Sequence, residues 1–195
     1  MKIKSIEIKN FRSIKDAIIE MSDFNILVGQ NNGGKTNFFE AVDFFYNGVP
    51  KKIDINSLKF KHDTSFEIEV SIKFSDCQEG ASKMKNEKNK ASILKAIGDS
   101  DEITITRSSL NLKKRTVFVN GTEVNPGTGF DTALNDFLPK FEYVNTKQYY
   151  DSVAKYASTT PMGIMLSGVL SEIVASNQKY KEFQEKFSLI KLDKV

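Results

Sequence analysis

The chain has 195 residues, which is long enough for one sizeable core or for one domain plus a smaller appendage. Of these residues, 39% are hydrophobic and 27% are charged, a composition typical of a globular protein. Its 28 basic and 25 acidic residues give a net charge of +3, which is too balanced to indicate nucleic-acid binding by itself. The single cysteine, Cys77, excludes an internal disulfide. The sequence shows neither a signal peptide nor a window apolar enough for a membrane span, so we expect a cytoplasmic protein.

The first predicted elements are short strands. Residues 2–11 alternate apolar and charged side chains, which predicts a half-exposed edge strand. A second strand is predicted for residues 17–21. The apolar run 24–28 follows and predicts a buried strand.

Residues 29–36 read GQNNGGKT and match the phosphate-loop pattern G-x-x-x-x-G-K-[ST] without a mismatch. Residues 37–45 then carry apolar side chains at helical spacing, so strand, glycine loop and helix come in the order that a phosphate loop requires. The alternative is a chance glycine-rich turn between a strand and a helix.

The residue types in this loop suit a nucleoside triphosphate. Gly29, Gly33 and Gly34 can adopt backbone angles closed to other residues and let the main-chain N–H groups approach an anion, to which the helix N-terminus adds partial positive charge. Lys35 is expected to bridge the β- and γ-phosphates of ATP, and Thr36 to place its hydroxyl on Mg²⁺.

The remaining chain alternates between strand and helix patterns. Strands are predicted for residues 66–74, 102–107 and 115–119, the last followed by an Asn-Gly hairpin signal, and for 141–146. Residues 75–101 are charged and predict a solvent-facing helical excursion or a partly mobile loop. Helices are predicted for residues 129–138 and 162–175.

Two stretches together resemble a known family. The run I-x-N-F-R-S-I at residues 8–14 and the run N-I-L-V-G-x-N-N-x-G-K-T-N-x-x-E-A at 25–41 are similar to the start of ABC-type ATPase heads of RecF, Rad50 and SMC proteins and, most closely, of OLD-family ATPases. The resemblance implies an α/β P-loop NTPase fold with a mixed sheet, a Walker A strand, loop and helix, an antiparallel β-subdomain and C-terminal helices. It also implies an N-terminal lobe at residues 1–157, with 75–101 as a surface excursion, and the start of a helical lobe or arm at 158–195.

The resemblance extends to individual residues. Arg12 matches an arginine that lies close to nucleotide in these families, and an ordinary surface arginine at a turn is the alternative. Gln148 resembles by position the glutamine that contacts Mg²⁺ in ABC heads, with an ordinary loop glutamine as the alternative. The expected nucleotide-contacting residues are Arg12, Gly29, Asn31, Asn32, Gly33, Gly34, Lys35, Thr36 and Asn37.

Two elements of a complete ABC ATPase are missing from the sequence. It contains neither an apolar strand ending in Asp-Glu, the Walker B element, nor a convincing signature loop. We therefore expect these residues to be the N-terminal lobe of a larger ATPase.

In OLD-like proteins, two heads sandwich ATP, so the resemblance implies a homo-oligomer that controls a nuclease or another defence effector acting on DNA or RNA. The alternatives are a RecF- or SMC-like DNA repair head and an ATP-sensing scaffold that does not hydrolyse ATP. A self-contained P-loop kinase would need a lid rich in arginine. This alternative is disfavoured, because the only arginines, Arg12, Arg107 and Arg115, are widely separated along the sequence.

Overall fold

Alternating apolar residues build one antiparallel sheet. The structure is a computed structural model, and it describes residues 1–124, 127, 129–143, 160–180 and 182. The described strands form the sheet in the order β2-β1-β3-β4-β5-β6, with every pair of neighbours antiparallel. Their bounds are β1 Lys2–Phe11, β2 Ile14–Glu20, β3 Glu69–Ser75, β4 Ile103–Ser108, β5 Thr116–Val119 and β6 Thr122–Val124. The fold class predicted from the sequence is confirmed by this sheet and by its match to known heads described below.

Helices lie in two of the five connections between these strands, and two further described helices follow β6. Their bounds are α1 Lys35–Asn47, α2 Cys77–Ser82, α3 Glu87–Ile97, α4 Phe130–Phe137 and α5 Pro161–Ser176. Two short 3-10 turns, Ile55–Leu58 and Phe60–His62, lie between α1 and β3. The chain divides into two compact units, Met1–Phe141 and Glu142–Val195. The boundary predicted from the sequence, between residues 157 and 158, lies outside the described residues.

One face of the sheet forms the core of the first unit. In the strand register Ile8 lies opposite Val70, and Ile6 opposite Ile72, which in turn faces Ile105; all five are buried. The opposite face of the sheet carries charged side chains. Period-two alternation therefore sorts apolar from charged residues as it does in a sheet covered on one side.

Helix α1 packs on the apolar face of the sheet. Its Phe45 lies against Phe74 of β3 with ring centroids 6.3 Å apart, and its Phe44 lies 6.0 Å from Phe11 of β1. Phe44 and Phe45 are 1% and 0% exposed. The sheet thus fixes the helix that begins at the phosphate loop.

Two strand predictions are wrong in this structure. Strand β1 was predicted as an edge strand, but it pairs with β2 on one side and β3 on the other, and β2 has the edge position. The predicted buried strand at residues 24–28 does not form: Phe24, Ile26 and Val28 are 79%, 70% and 88% exposed. No described strand lies beside them, so their backbone has nothing to pair with in a ladder.

The charged segment predicted as a surface excursion forms α2 and α3, and its apolar side chains contribute to the core. Ile93 and Ile97 of α3 are 0% and 2% exposed, and the thiol residue Cys77 at the start of α2 is fully buried. Burial raises the pKa of Cys77 to about 12, so the thiol stays protonated and unreactive at neutral pH.

The second unit is described mainly by α5. Thr160 caps this helix, its hydroxyl accepting a hydrogen bond from the N–H of Gly163 at 3.2 Å. Met165, Val169 and Ile173 on α5 are more than half exposed. In the described part of the chain, no helix has the length and apolarity needed to cross a bilayer.

A buried arginine closes the C-terminal end of α1. Arg107 of β4 donates from Nε to the carbonyl of Phe45 at 2.8 Å and from Nη1 to the carbonyl of Leu112 at 2.9 Å. Phe45 lies in the last turn of α1, whose carbonyls lack partners within the helix. A cation at this end also interacts favourably with the helix dipole. Arg107 therefore ties α1 to the sheet.

We expect Arg107→Met to lower the free energy of unfolding by about 1–3 kcal/mol, because two carbonyls lose a charged donor. Urea denaturation followed by circular dichroism measures this change. Lys113→Ala, at an exposed neighbouring position, is the control and should leave stability unchanged. Equal stability of both variants would show that Arg107 does not hold the helix end.

Candidate nucleotide-binding site

The phosphate-loop residues surround a cavity at the start of α1. Residues 31–37 line this cavity, which has a volume of about 530 Å³. Helix α1 begins at Lys35 with Gly34 as its N-cap, and no side chain caps it. The first N–H groups of a helix have no partner within the helix, so this uncapped end suits an anion.

The loop glycines have different roles in the structure. Gly34 has a φ of 92°, a left-handed angle, and a Cβ built on it would lie 3.3 Å from the hydroxyl of Ser13. A Cβ at Gly33 would lie 2.9 Å from the carbonyl oxygen of Gln30, which accepts the Gly33 N–H in a tight turn. Gly29 has neither constraint, since nothing lies within 4 Å of its Cβ position. Of the three loop glycines, only Gly34 adopts a positive φ, and their contact with an anion stays a prediction.

Lys35 binds the beginning of its own loop. Its Nζ donates to the carbonyl oxygens of Gly29 at 2.7 Å and Gln30 at 2.8 Å. These bonds close residues 29–35 into a ring, and Lys35 is also one of the residues that line the cavity. The lysine therefore shapes the loop, and the cavity beside it leaves room for an anion.

The turn between β1 and β2 packs against the first turns of α1. Asn37 donates from Nδ2 to the hydroxyl of Ser13 at 2.6 Å. Arg12 adopts a φ of 49°, and its Nε lies 2.9 Å from Oε2 of Glu40. The Arg12 N–H is not aligned with that carboxylate oxygen, so the contact is an ion pair rather than a hydrogen bond. The backbone N–H of Arg12 donates to the carbonyl of Leu58 at 2.7 Å, which fixes the turn.

The structure brings most of the predicted site residues together. Asn31, Asn32, Gly33, Gly34, Lys35, Thr36 and Asn37 line one cavity, Gly29 binds Lys35, and Arg12 pairs with a residue of the same helix. The predicted nucleotide contact of Arg12 stays a prediction. Gln148 lies outside the described residues. Of the two predicted metal ligands, only Thr36 therefore lies among the described residues. Among the described positions, no group of three His, Cys, Asp or Glu side chains could hold a metal ion.

Sequence reasoning missed two residues that support the site. Ser13 binds Asn37 and borders Gly34, and Glu40 pairs with Arg12. Both stand inside the runs N-F-R-S and N-x-x-E-A that carry the family resemblance. Their place in those runs was the available signal, but spacing alone could not reveal contacts across more than 20 residues.

A family comparison agrees with this geometry. Residues 1–194 match the model of the AAA ATPase domain family. The chain belongs to that family. The AAA ATPase domain covers nearly the whole chain, and membership of an ATPase family implies nucleotide binding.

Two curated relatives are nucleases by name. The Old nuclease of Escherichia phage P2 is 28% identical over 198 residues, which covers 96% of this chain and 31% of the relative. The endonuclease GajA of Bacillus cereus (strain VD045) is 38% identical over 73 residues, 37% of this chain and 13% of the relative. This AAA ATPase domain therefore spans less than a third of the curated relatives that it matches.

A solved structure shows the same fold. It comes from work on ATP-driven dimerisation and DNA-stimulated activation of SMC ATPases, and it aligns with a TM-score of 0.51 at 22% identity, over 85% of this chain and 96% of the other. The resemblance of the AAA ATPase domain to the ABC-type heads of OLD and SMC proteins is confirmed.

The different roles of the glycines can be tested within the loop. We expect Gly34→Ala to lower the free energy of unfolding by about 1–2 kcal/mol, because an L-residue is strained at the left-handed angle. Gly29→Ala is the matched control and should be neutral. Urea denaturation of both variants provides the measurement, and equal stabilities would contradict the geometry described for Gly34.

Proposed function

We propose that the chain is the ATP-binding N-terminal part of an OLD-like ABC ATPase whose ATP-dependent dimerisation controls a nucleic-acid-cutting effector in prokaryotic anti-phage defence. The observation that carries the proposal is the cavity at the uncapped start of α1, lined by residues 31–37 with Lys35 beside it. Family membership and the similarity to the Old nuclease support it.

The loop residues fit a nucleotide with its magnesium ion. The N–H groups at the start of α1 would bind phosphate oxygens, Lys35 would neutralise their charge, and Thr36 would offer its hydroxyl to Mg²⁺. When bound, Mg²⁺ supplies positive charge to the phosphate oxygens. Lys35 would exchange its bonds to the two loop carbonyls for bonds to phosphate oxygens.

The site has the features of one half of a larger assembly. Phe24, Ile26 and Val28 lead into the loop and expose at least 70% of their surface, and burying such side chains stabilises a protein by about 1.5–3 kcal/mol each. We infer that strands from further polypeptide cover them. The same polypeptide would supply the carboxylate that activates water, since the sequence holds no apolar strand ending in Asp-Glu.

The effector is proposed from the names of the relatives. Old and GajA are named as a nuclease and an endonuclease, and the chain spans less than a third of either protein. A nuclease joined to this head, or associated with it, would act on DNA or RNA when ATP brings two heads together. A cytoplasmic location agrees with a single cysteine that is buried and unpaired.

We expect Lys35→Ala to abolish ATP binding while the chain stays folded, because the ammonium group faces an exposed loop rather than the core. Calorimetric titration with Mg-ATP measures the affinity, and circular dichroism checks the fold. Lys51→Ala, exposed beyond the other end of α1, is the control and should bind as the unmodified chain does. Retained affinity in Lys35→Ala would contradict the phosphate-loop assignment.

We expect the isolated 195 residues to bind ATP weakly and to release phosphate at a negligible rate, because the activating carboxylate comes from elsewhere. A coupled phosphate-release assay on the purified chain provides the measurement. Rapid release that disappears in Lys35→Ala would overturn the inference that the catalytic carboxylate is supplied from outside the chain.

A further inference from the structure

Arg12 and Glu40 form an ion pair that joins the turn between β1 and β2 to the helix of the phosphate loop. The Nε of Arg12 lies 2.9 Å from Oε2 of Glu40, and both atoms are buried. Neither residue belongs to the loop at residues 29–36. The function proposed above gives Glu40 no role.

Glu40 lies on the face of α1 that borders the cavity of the phosphate loop. It follows Thr36 by four residues and Asn37 by three, and residues at these spacings are neighbours on the surface of a helix. Thr36 and Asn37 both line the cavity. The ion pair with Arg12 is therefore attached to α1 about one helical turn, or about 5 Å along its axis, beyond the cavity lining.

The backbone of the turn is held at strained angles on both sides of Phe11. Asn10 and Arg12 have φ values of 56° and 49°, which cost free energy for residues other than glycine. Phe11 is buried against α1, and the N–H and carbonyl of Arg12 bond to Leu58 and Lys61. Backbone strain that is over-determined in this way is concentrated at sites that hold ligands.

The guanidinium of Arg12 keeps two donors beyond its contact with Glu40. The side chain is 36% exposed, and Nη1 and Nη2 are not buried and donate to no other described residue. Because the guanidinium is planar and rigid, a carboxylate that holds Nε also restricts the directions of the two Nη nitrogens. Such N–H groups form strong, charge-assisted hydrogen bonds to phosphate oxygens.

The negative charge of Glu40 opposes phosphate binding, whereas its hold on Arg12 favours it. The carboxylate lies against the guanidinium, so the pair as a whole carries no net charge and its repulsion of a phosphate is small. Without Glu40, the long side chain of Arg12 would gain rotamer freedom that it must lose again when it binds an anion. The restriction of Arg12 is therefore the larger effect.

We propose, on the basis of the ATP-binding function above, that Glu40 is a positioning residue. It holds Nε of Arg12 so that the Nη nitrogens are available to a phosphate group of the nucleotide. Glu40 itself touches no ligand and acts only through Arg12. Its removal would weaken nucleotide binding although a negative charge is lost, which is the opposite of what charge alone predicts.

A double-mutant cycle tests this role. The amide shifts of the ¹⁵N-labelled chain during titration with Mg-ATP give the dissociation constant for the unmodified chain, Glu40→Gln, Arg12→Met and the double variant. We expect Glu40→Gln to weaken binding about threefold to tenfold, as expected for the ordering of one long side chain. The double variant should bind as Arg12→Met does, because Glu40 has no effect without Arg12.

Asp43→Asn is the matched control, because it removes the same charge from the same helix three residues further on. It should leave the affinity within about twofold of the unmodified chain. Equal weakening by Asp43→Asn and Glu40→Gln would overturn the role of Glu40. A further loss of affinity on adding Glu40→Gln to Arg12→Met would also overturn it.

Two outcomes distinguish the role of Glu40 from ATP binding itself. If the unmodified chain binds Mg-ATP and Glu40→Gln binds it equally well, only the role of Glu40 is overturned. If the unmodified chain shows no binding, the proposed function is overturned as well. Circular dichroism checks that each variant is folded, and if Arg12→Met is not, the comparison of Glu40→Gln with Asp43→Asn decides.

Discussion

Helix α1 is held at one end and open at the other, and the candidate site depends on this difference. Its C-terminal end is bound by Arg107, which reaches from β4 to the carbonyl of Phe45, and its buried face lies on the sheet. Its N-terminal end has no side-chain cap. These contacts hold the helix on the sheet, while its unpaired N–H groups and the positive end of its dipole are directed at the cavity.

The loop in front of this helix is shaped before any ligand is present. Lys35 binds the carbonyls of Gly29 and Gln30, and the turn of β1 and β2 supports the helix start through Ser13 and Asn37. A preformed loop spends little conformational entropy when an anion enters. In contrast, the segment that leads into the loop, residues 24–28, has no strand beside it in the described structure. The site therefore combines a phosphate loop that is already formed with a preceding segment that is not paired into the described sheet.

Local sequence signals predicted the parts of the structure that are set by neighbours in the chain. The bounds of α1 followed from the loop and from Gly48, and the Asn-Gly signal predicted a hairpin whose φ values, 51° at Asn120 and 77° at Gly121, are both positive. Contacts between distant residues could not be predicted in this way. Arg107 lies 62 residues from Phe45, and periodicity does not indicate how many neighbours a strand such as β1 has.

The central claim is that the backbone amides of residues 29–36 bind a triphosphate. Titration of the ¹⁵N-labelled chain with tripolyphosphate, and separately with adenosine, tests it most directly through the amide shifts of Gly33, Gly34, Lys35 and Thr36. We expect large, saturable shifts of these four amides with tripolyphosphate and none with adenosine. If tripolyphosphate left them unmoved at concentrations that shift other residues, the claim would be contradicted.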